Sequence, residues 1–297
     1  MQAVLGATHQ ENLADKVEQR IVAGSDPEFG AAVAKIVRAL HTAVSEVRPT
    51  TRQWRATVDF LTEVGHACDE RRQEWILLSD LLGITQLVED INTLRPPGVT
   101  PNTARGPFYR PDAPELPLGA NISLDGAGER LAVTCHVRDL DGRPVAGAVV
   151  ETWQANGQGY YENQQPDLQP EFNLRGTFRA DEVGNLHYLS VKPMGYKVPD
   201  DGPVGQLLGR LGYPLHRPAH LHFIVRAPGF ETVTTHVYDG ADPRLAEDAL
   251  LGVKPELVAD FRHAGSGGVR CEWTLEFTFV LARARDANPP RTAPISR

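Results

Sequence analysis

The chain has 297 residues, 41% hydrophobic and 23% charged, enough to bury a sizeable core as one large domain or two smaller ones. Its formal net charge of −8 lacks the basic footprint of a nucleic-acid binder, so no nucleic-acid partner is expected. No run of about 18 apolar residues occurs, so no membrane-spanning helix is expected.

The first twenty residues carry acids early and lack the apolar stretch of a secretory leader. Cys68, Cys135 and Cys271 are widely spaced and form no CxxC pair. That pattern argues against a zinc site or a disulfide scaffold and for free thiols in a reducing, cytoplasmic setting.

The first hundred residues read as helical. From Asp26 to Val47, apolar residues fall at Phe29, Val33, Ile36, Val37, Leu40, Val44 and Val47, the stripe of an amphipathic helix. Asp26 is its expected N-cap and Pro27 its first residue. A second stripe runs Trp54, Val58, Leu61, Val64, Cys68, capped by Thr50 or Thr51. A third, from about Gln73 to Leu94, passes through Trp75, Leu78, Leu82, Leu87 and Ile91 and stops at Arg95-Pro96-Pro97-Gly98.

The period then changes to two. Strands are predicted at Leu131–Val137, Val145–Trp153, Gly176–Ala180, Leu186–Val191, Leu221–Val225, Thr232–Val237 and Trp273–Leu281. Short strands punctuated by glycine and proline suggest a mainly antiparallel β-sandwich. The fold class is therefore α+β. Residues 1–104 are expected as a helical part, 105–284 as the β-sandwich, and 285–297 as a disordered tail.

Arg217-Pro218-Ala219-His220-Leu221-His222 carries the most information. On a strand, His220 and His222 point to one side and can share a metal. Alone, an HxH pair is more often a pair of surface or hydrogen-bonded histidines. Tyr161 follows Gly159-Tyr160, and Tyr196 follows Gly195. A phenol is neutral near pH 7, and a ferric ion stabilises its phenolate. Without that ion, each tyrosine is ordinary packing.

Residues 100–261 resemble the intradiol ring-cleavage dioxygenases, which act on catechol, chlorocatechol or hydroxyquinol. The resemblance rests on Gly106-Pro107-Phe108-Tyr109, the Trp153–Tyr161 stretch, Gly195-Tyr196, the Asp201–Leu208 stretch and Arg217–His222, in the family's order. The helical part resembles the family's linker domain through Leu77-Leu78-Ser79-Asp80.

That resemblance implies one Fe(III) per chain, with Tyr161 and His220 equatorial and Tyr196 and His222 axial. It implies Tyr196 as a base for a diol proton and Arg217 as a stabiliser of developing charge. Substrate contacts are expected from Leu77, Asp80, Arg105, Gly106, Pro107, Phe108, Val198, Pro199 and Leu250. It also implies O₂ as co-substrate, a homodimer through the N-terminal helices and a phospholipid between them.

Arg105 departs from the family, which has apolar residues there. It is either a surface residue of a shifted loop or a contact for a polar ring substituent. Leu77–Asp80, Thr235-His236 and Asp248–Lys254 resemble the hydroxyquinol branch, which would yield maleylacetate rather than the cis,cis-muconate of catechol. Asp80 then either accepts a bond from the third hydroxyl or caps the helix surface. The weighed alternatives are a divalent-metal hydrolase, which lacks an HExxH motif, and a non-catalytic transthyretin-like binding module, suggested by Asp141–Trp153. Colour separates them, because a tyrosinate–Fe(III) protein is red-brown.

Overall fold

The computed structural model describes residues 13–24, 26–69, 72–93, 95–264 and 271–284. The expected tail, from 285 on, lies outside these, as does Leu94. The chain divides into two compact units, residues 1–63 and 64–297.

In the first unit, residues 13–22 are helical, followed by α1 (Pro27–Val47). The expected cap is present: the Asp26 carboxylate accepts from Phe29 N at 3.0 Å. Gly30 and Ala34 are the buried positions of α1, while Phe29, Ile36, Leu40, Val44 and Val47 of the apolar stripe are exposed. α2 (Thr51–His66) is capped by Thr50, whose hydroxyl and amide exchange hydrogen bonds with Gln53. Thr51 is already helical.

In the second unit, the stretch expected as one helix is two, α3 (Glu74–Leu81) and α4 (Ile84–Asn92). The apolar stripe runs on through Gly83, but Gly83 takes φ +72°, a left-handed conformation that ends α3. Among the strand-rich part, α5 (Pro203–Leu211) was not anticipated; it starts with proline and ends at left-handed Gly212.

The strands are β1 (Arg130–Asp139), β2 (Val149–Gln154), β3 (Arg175–Arg179), β4 (Asn185–Val191), β5 (Tyr196–Lys197), β6 (His216–Arg217), β7 (His220–Arg226), β8 (Val233–Asp239), β9 (Val258–Ala259), β10 (Arg262–His263) and β11 (Trp273–Leu281). β2 starts later than expected, because Val145–Ala148 form the approach to it. One sheet has the order β10-β11-β1-β4 and the other β3-β2-β7-β8-β9; β5 and β6 form a separate antiparallel pair. Most pairings are antiparallel, as expected, but β1–β11 and β8–β9 are parallel.

β1 alternates as the sequence pattern demands, burying Leu131, Val133, Cys135 and Val137. These pack in one core with Val150, Phe178, Leu221, Phe223, Val225 and Val237 from the other sheet. β7 is buried on both faces. Leu221, Phe223 and Val225 enter that core, so period two turns His220, His222 and Ile224 to the opposite face. The functional groups gather there.

Candidate metal centre and ring cavity

Strand register sets the rows. His222 pairs with Trp153 of β2 and His236 of β8, and His220 pairs with Tyr238. The Trp153 ring stacks on His222 with centroids 4.6 Å apart and fixes the imidazole plane. Tyr161 arrives from the loop after β2. Its amide donates to Gln164 Oε1 at 2.9 Å, and the next residue, Glu162, pairs with buried Arg175 at 2.7 Å. Phe108 stacks on the Tyr161 ring at 4.4 Å. Tyr196 lies on β5, directly opposite Arg217 of β6. Gly159 lets the two tyrosine loops touch: a Cβ there would lie 2.9 Å from Tyr196 Cβ, and its φ is +85°.

The donors converge. Tyr161 Oη lies 2.8 Å from His222 Nε2 and 3.5 Å from Tyr196 Oη, and His220 Nε2 lies 3.2 Å from His222 Nε2. Bonds of about 2.0–2.2 Å to a small metal ion place neighbouring N and O donors about 3 Å apart. His220 Nδ1 donates to Pro218 O at 2.6 Å, which leaves the Nε2 lone pair facing the centre. His222 Nδ1 is buried and has no hydrogen-bond partner among the described residues.

Electrostatics fit the same reading. Burial, then the neighbouring Arg217 cation, push the His220 pKa down to about 3. Burial also drives His222 well below the usual imidazole value, so both stay neutral and able to ligate. Burial raises the Tyr161 phenol well above its ordinary value. A phenolate at that depth requires a cation beside it. Two imidazole nitrogens and two phenol oxygens thus form a mixed nitrogen and oxygen donor set, with hard phenolate oxygens, that fits an iron ion.

His236 completes a histidine triad whose ligand atoms lie within 4.8 Å of one another. Its Nδ1 meets Thr103 Oγ1 at 2.6 Å, and its Nε2 has no partner among the described residues. Its importance was missed as a site feature. The signal was available: His236 and Tyr238 alternate on β8 as His220 and His222 do on β7.

A cavity of about 160 Å³ opens beside Tyr196 and Arg217. Leu77, Asp80, Pro107, Phe108, Val198, Pro199 and Leu250 line it, together with Arg72, Gln73, Glu74 and Ile76. Asp80 is buried at 6% exposure, and its Oδ1 has no hydrogen-bond partner among the described residues. It thus lies in the cavity wall rather than on an exposed helix surface. Burial raises its pKa against a hydrogen bond from Thr85 and the pull of Arg217. Two expected contacts fall elsewhere. Arg105 is exposed, its guanidinium 4.7 Å over the Tyr109 ring, and this stacking holds it outside the cavity. Gly106 sits against the metal centre: a Cβ there would lie 3.4 Å from His222 Cε1. A larger cleft of about 690 Å³ reaches Arg217 from the Lys192–Gly195 side but includes none of the four donor residues.

The sequence matches the family model described as Dioxygenase over residues 105–283 and the model described as Catechol dioxygenase N terminus over residues 26–100. A hydroxyquinol 1,2-dioxygenase of a Rhizobium species is 47% identical over 282 residues, covering 92% of this chain and 96% of that protein. A 6-chlorohydroxyquinol 1,2-dioxygenase of Cupriavidus pinatubonensis is 41% identical, covering 92% and 97%. The crystal structure of a hydroxyquinol 1,2-dioxygenase from Pseudomonas putida superposes with a TM-score of 0.89 at 36% identity, covering 94% of this chain and 100% of that one. The chain belongs to the intradiol ring-cleavage dioxygenases, within the hydroxyquinol branch. It is an iron-dependent enzyme, and the reading as a non-catalytic binding module falls away.

Proposed function

We propose that the chain opens hydroxyquinol in preference to plain catechol, using O₂ and one ferric ion held by Tyr161, Tyr196, His220 and His222. The observation that carries this reading is the meeting of Tyr161 Oη, His220 Nε2 and His222 Nε2 at separations of 2.8 and 3.2 Å beside the ring cavity. A bound ferric ion supplies Lewis acidity that makes a coordinated diolate reactive toward O₂.

The protein's own groups do the rest. Tyr196, half-buried at the cavity edge, takes a diol proton on Oη. Phe108, Leu77, Val198 and Leu250 clamp the ring and exclude water. The Arg217 guanidinium, charged even when buried, stabilises negative charge developing on the ring and its oxygens. Asp80 accepts the hydrogen of the third hydroxyl. Oxygen uptake with a panel of hydroxyquinol, catechol, chlorocatechols and protocatechuate tests the reading. Maleylacetate is the expected main product; an extradiol product spectrum, or no uptake, would overturn it.

We also infer a homodimer with a phospholipid between the N-terminal helices. Support comes from the exposed stripe of α1 and a groove of about 560 Å³ lined by Leu13, Leu40, Val44, Arg48 and Trp54, among others. The free thiols Cys68, Cys135 and Cys271 suit a cytoplasmic location.

A further inference from the structure

We propose that Asp248 is a positioning residue that holds Arg217 away from Asp80, keeping the ring cavity open between a cation and a carboxylate that it does not pair with. The inference rests on the ring-opening reading above.

Arg217 and Asp80 line the same cavity, and both are buried. Opposite charges in such a place attract strongly and would close the space between them. Yet Asp80 Oδ1 has no hydrogen-bond partner among the described residues. The guanidinium is committed elsewhere. Arg217 Nε donates to Asp248 Oδ1 at 3.2 Å, and Nη2 donates to Tyr238 Oη at 3.1 Å. A guanidinium is a rigid plane, so fixing its back edge fixes the direction of Nη1. Nη1 lies 3.3 Å from His220 Nε2, beside the metal centre.

Asp248 is itself anchored. Its Oδ1 accepts from Leu250 N at 3.3 Å and its Oδ2 from Gly252 N at 2.9 Å. Between them Leu251 adopts φ +55°, a left-handed conformation unfavourable for a residue with a side chain. The carboxylate bonds on both sides of Leu251 hold that turn, and the turn sets Leu250 in the cavity wall. One buried carboxylate thus fixes both the cation and the wall.

The test is Asp248→Asn, alone and combined with Asp80→Asn. Turnover of catechol, which lacks the third hydroxyl, is measured against both single variants, and crystal structures of the variants locate Arg217. Asp248→Asn is expected to lower kcat at least about tenfold. In its structure Arg217 should hydrogen-bond to Asp80. The double variant should recover about fivefold or more of the lost kcat, since nothing then draws the guanidinium across the cavity. A purely structural role for Asp248 would give no such recovery. No recovery, or Arg217 unmoved in Asp248→Asn, overturns the proposal. If Asp248→Asn does not fold, Tyr238→Phe replaces it, removing the other back-edge bond; a loss of about threefold, recovered on adding Asp80→Asn, is then expected, and absence of recovery again overturns it. Wild-type protein inactive on every ring would sink the ring-opening reading instead, while the position of Arg217 in the variants still decides this one.

Discussion

His220 Nδ1 lies 2.6 Å from the Pro218 carbonyl oxygen, two residues back along the chain. A carbonyl only accepts, so Nδ1 carries the proton and Nε2 presents a lone pair to the centre. The backbone thereby selects the ligating tautomer before any metal arrives. Replacing His220 by Gln, or Tyr161 by Phe, should remove most bound iron and the visible tyrosinate band. Iron content and absorption spectra check this. A Tyr161→Phe protein with full colour and activity would exclude Tyr161 as a ligand.

Removing the metal should expose a pH dependence of stability. His220, His222 and His236 all have pKa values lowered chiefly by burial, His220 to about 3. Below the ordinary imidazole pKa the unfolded chain takes up protons that the folded apo-protein refuses. Stability is therefore fully present above about pH 6.5 and falls as the pH drops below it, by about 1.4 kcal/mol per pH unit for each ring that stays neutral. Denaturant titration of chelator-treated protein from pH 7.5 to 4.5 measures the slope, and His236→Gln should make it shallower. A flat profile would mean that these rings do not stay neutral in the apo-protein.

The legible and illegible parts of the site differ for a physical reason. Strand alternation is a fixed geometric rule, so His220 and His222 were readable as one-sided, and His236 with Tyr238 could have been read the same way. Tyr161 comes from the loop after β2 and Tyr196 from the two-residue strand β5, and no periodicity says that the two meet; only resemblance paired them. Asp248 also comes from a loop, and its role depends on tertiary contacts with Arg217. The helix expected over 73–94 failed at Gly83, because apolar periodicity continues across a break made by the backbone. The stripe of α1 was read correctly as a face, but a sequence pattern does not say whether that face is covered within one chain.

Arg217→Lys should fold and load iron yet turn over slowly. Lysine keeps the charge but loses the planar fork that bonds Asp248 and Tyr238 on one edge and faces the centre with the other. A fall in kcat of about 10²–10³ is expected, with little change in the visible band. Loss of iron on substitution, with full turnover once iron is restored, would assign Arg217 a structural role.

The exposed Phe29, Ile36, Leu40, Val44 and Val47 of α1 predict association. Light scattering at micromolar concentration should give twice the mass of the 32.6 kDa chain. Ile36→Glu with Leu40→Glu should shift it toward monomer, since charges on such a face resist burial. Organic extraction and mass spectrometry should recover phospholipid from the wild type and less from the double variant. A wild-type monomer without lipid would leave the stripe unexplained by dimerisation.

Asp80 should decide which ring is preferred. It projects from α3 into the cavity, buried, with one oxygen lacking a partner and a pKa raised by burial. A ring with a third hydroxyl offers that oxygen a donor. Plain catechol leaves it desolvated and unpaired, at a cost of about 1–3 kcal/mol, more when charged. The expected preference for hydroxyquinol over catechol in kcat/KM is therefore about tenfold to several hundredfold. Asp80→Ala removes both the acceptor and the penalty, so activity on hydroxyquinol should fall while that on catechol holds or rises, and the ratio should collapse toward one. Stability gives an independent reading. A carboxyl with a raised folded pKa stabilises most when protonated, and that contribution is lost as pH climbs above the ordinary carboxylate range. Asp80→Asn, which does not ionise, should therefore gain stability relative to wild type between pH 4 and pH 7. An unchanged substrate ratio in Asp80→Ala would remove the hydroxyquinol assignment and leave ring opening at the metal centre intact.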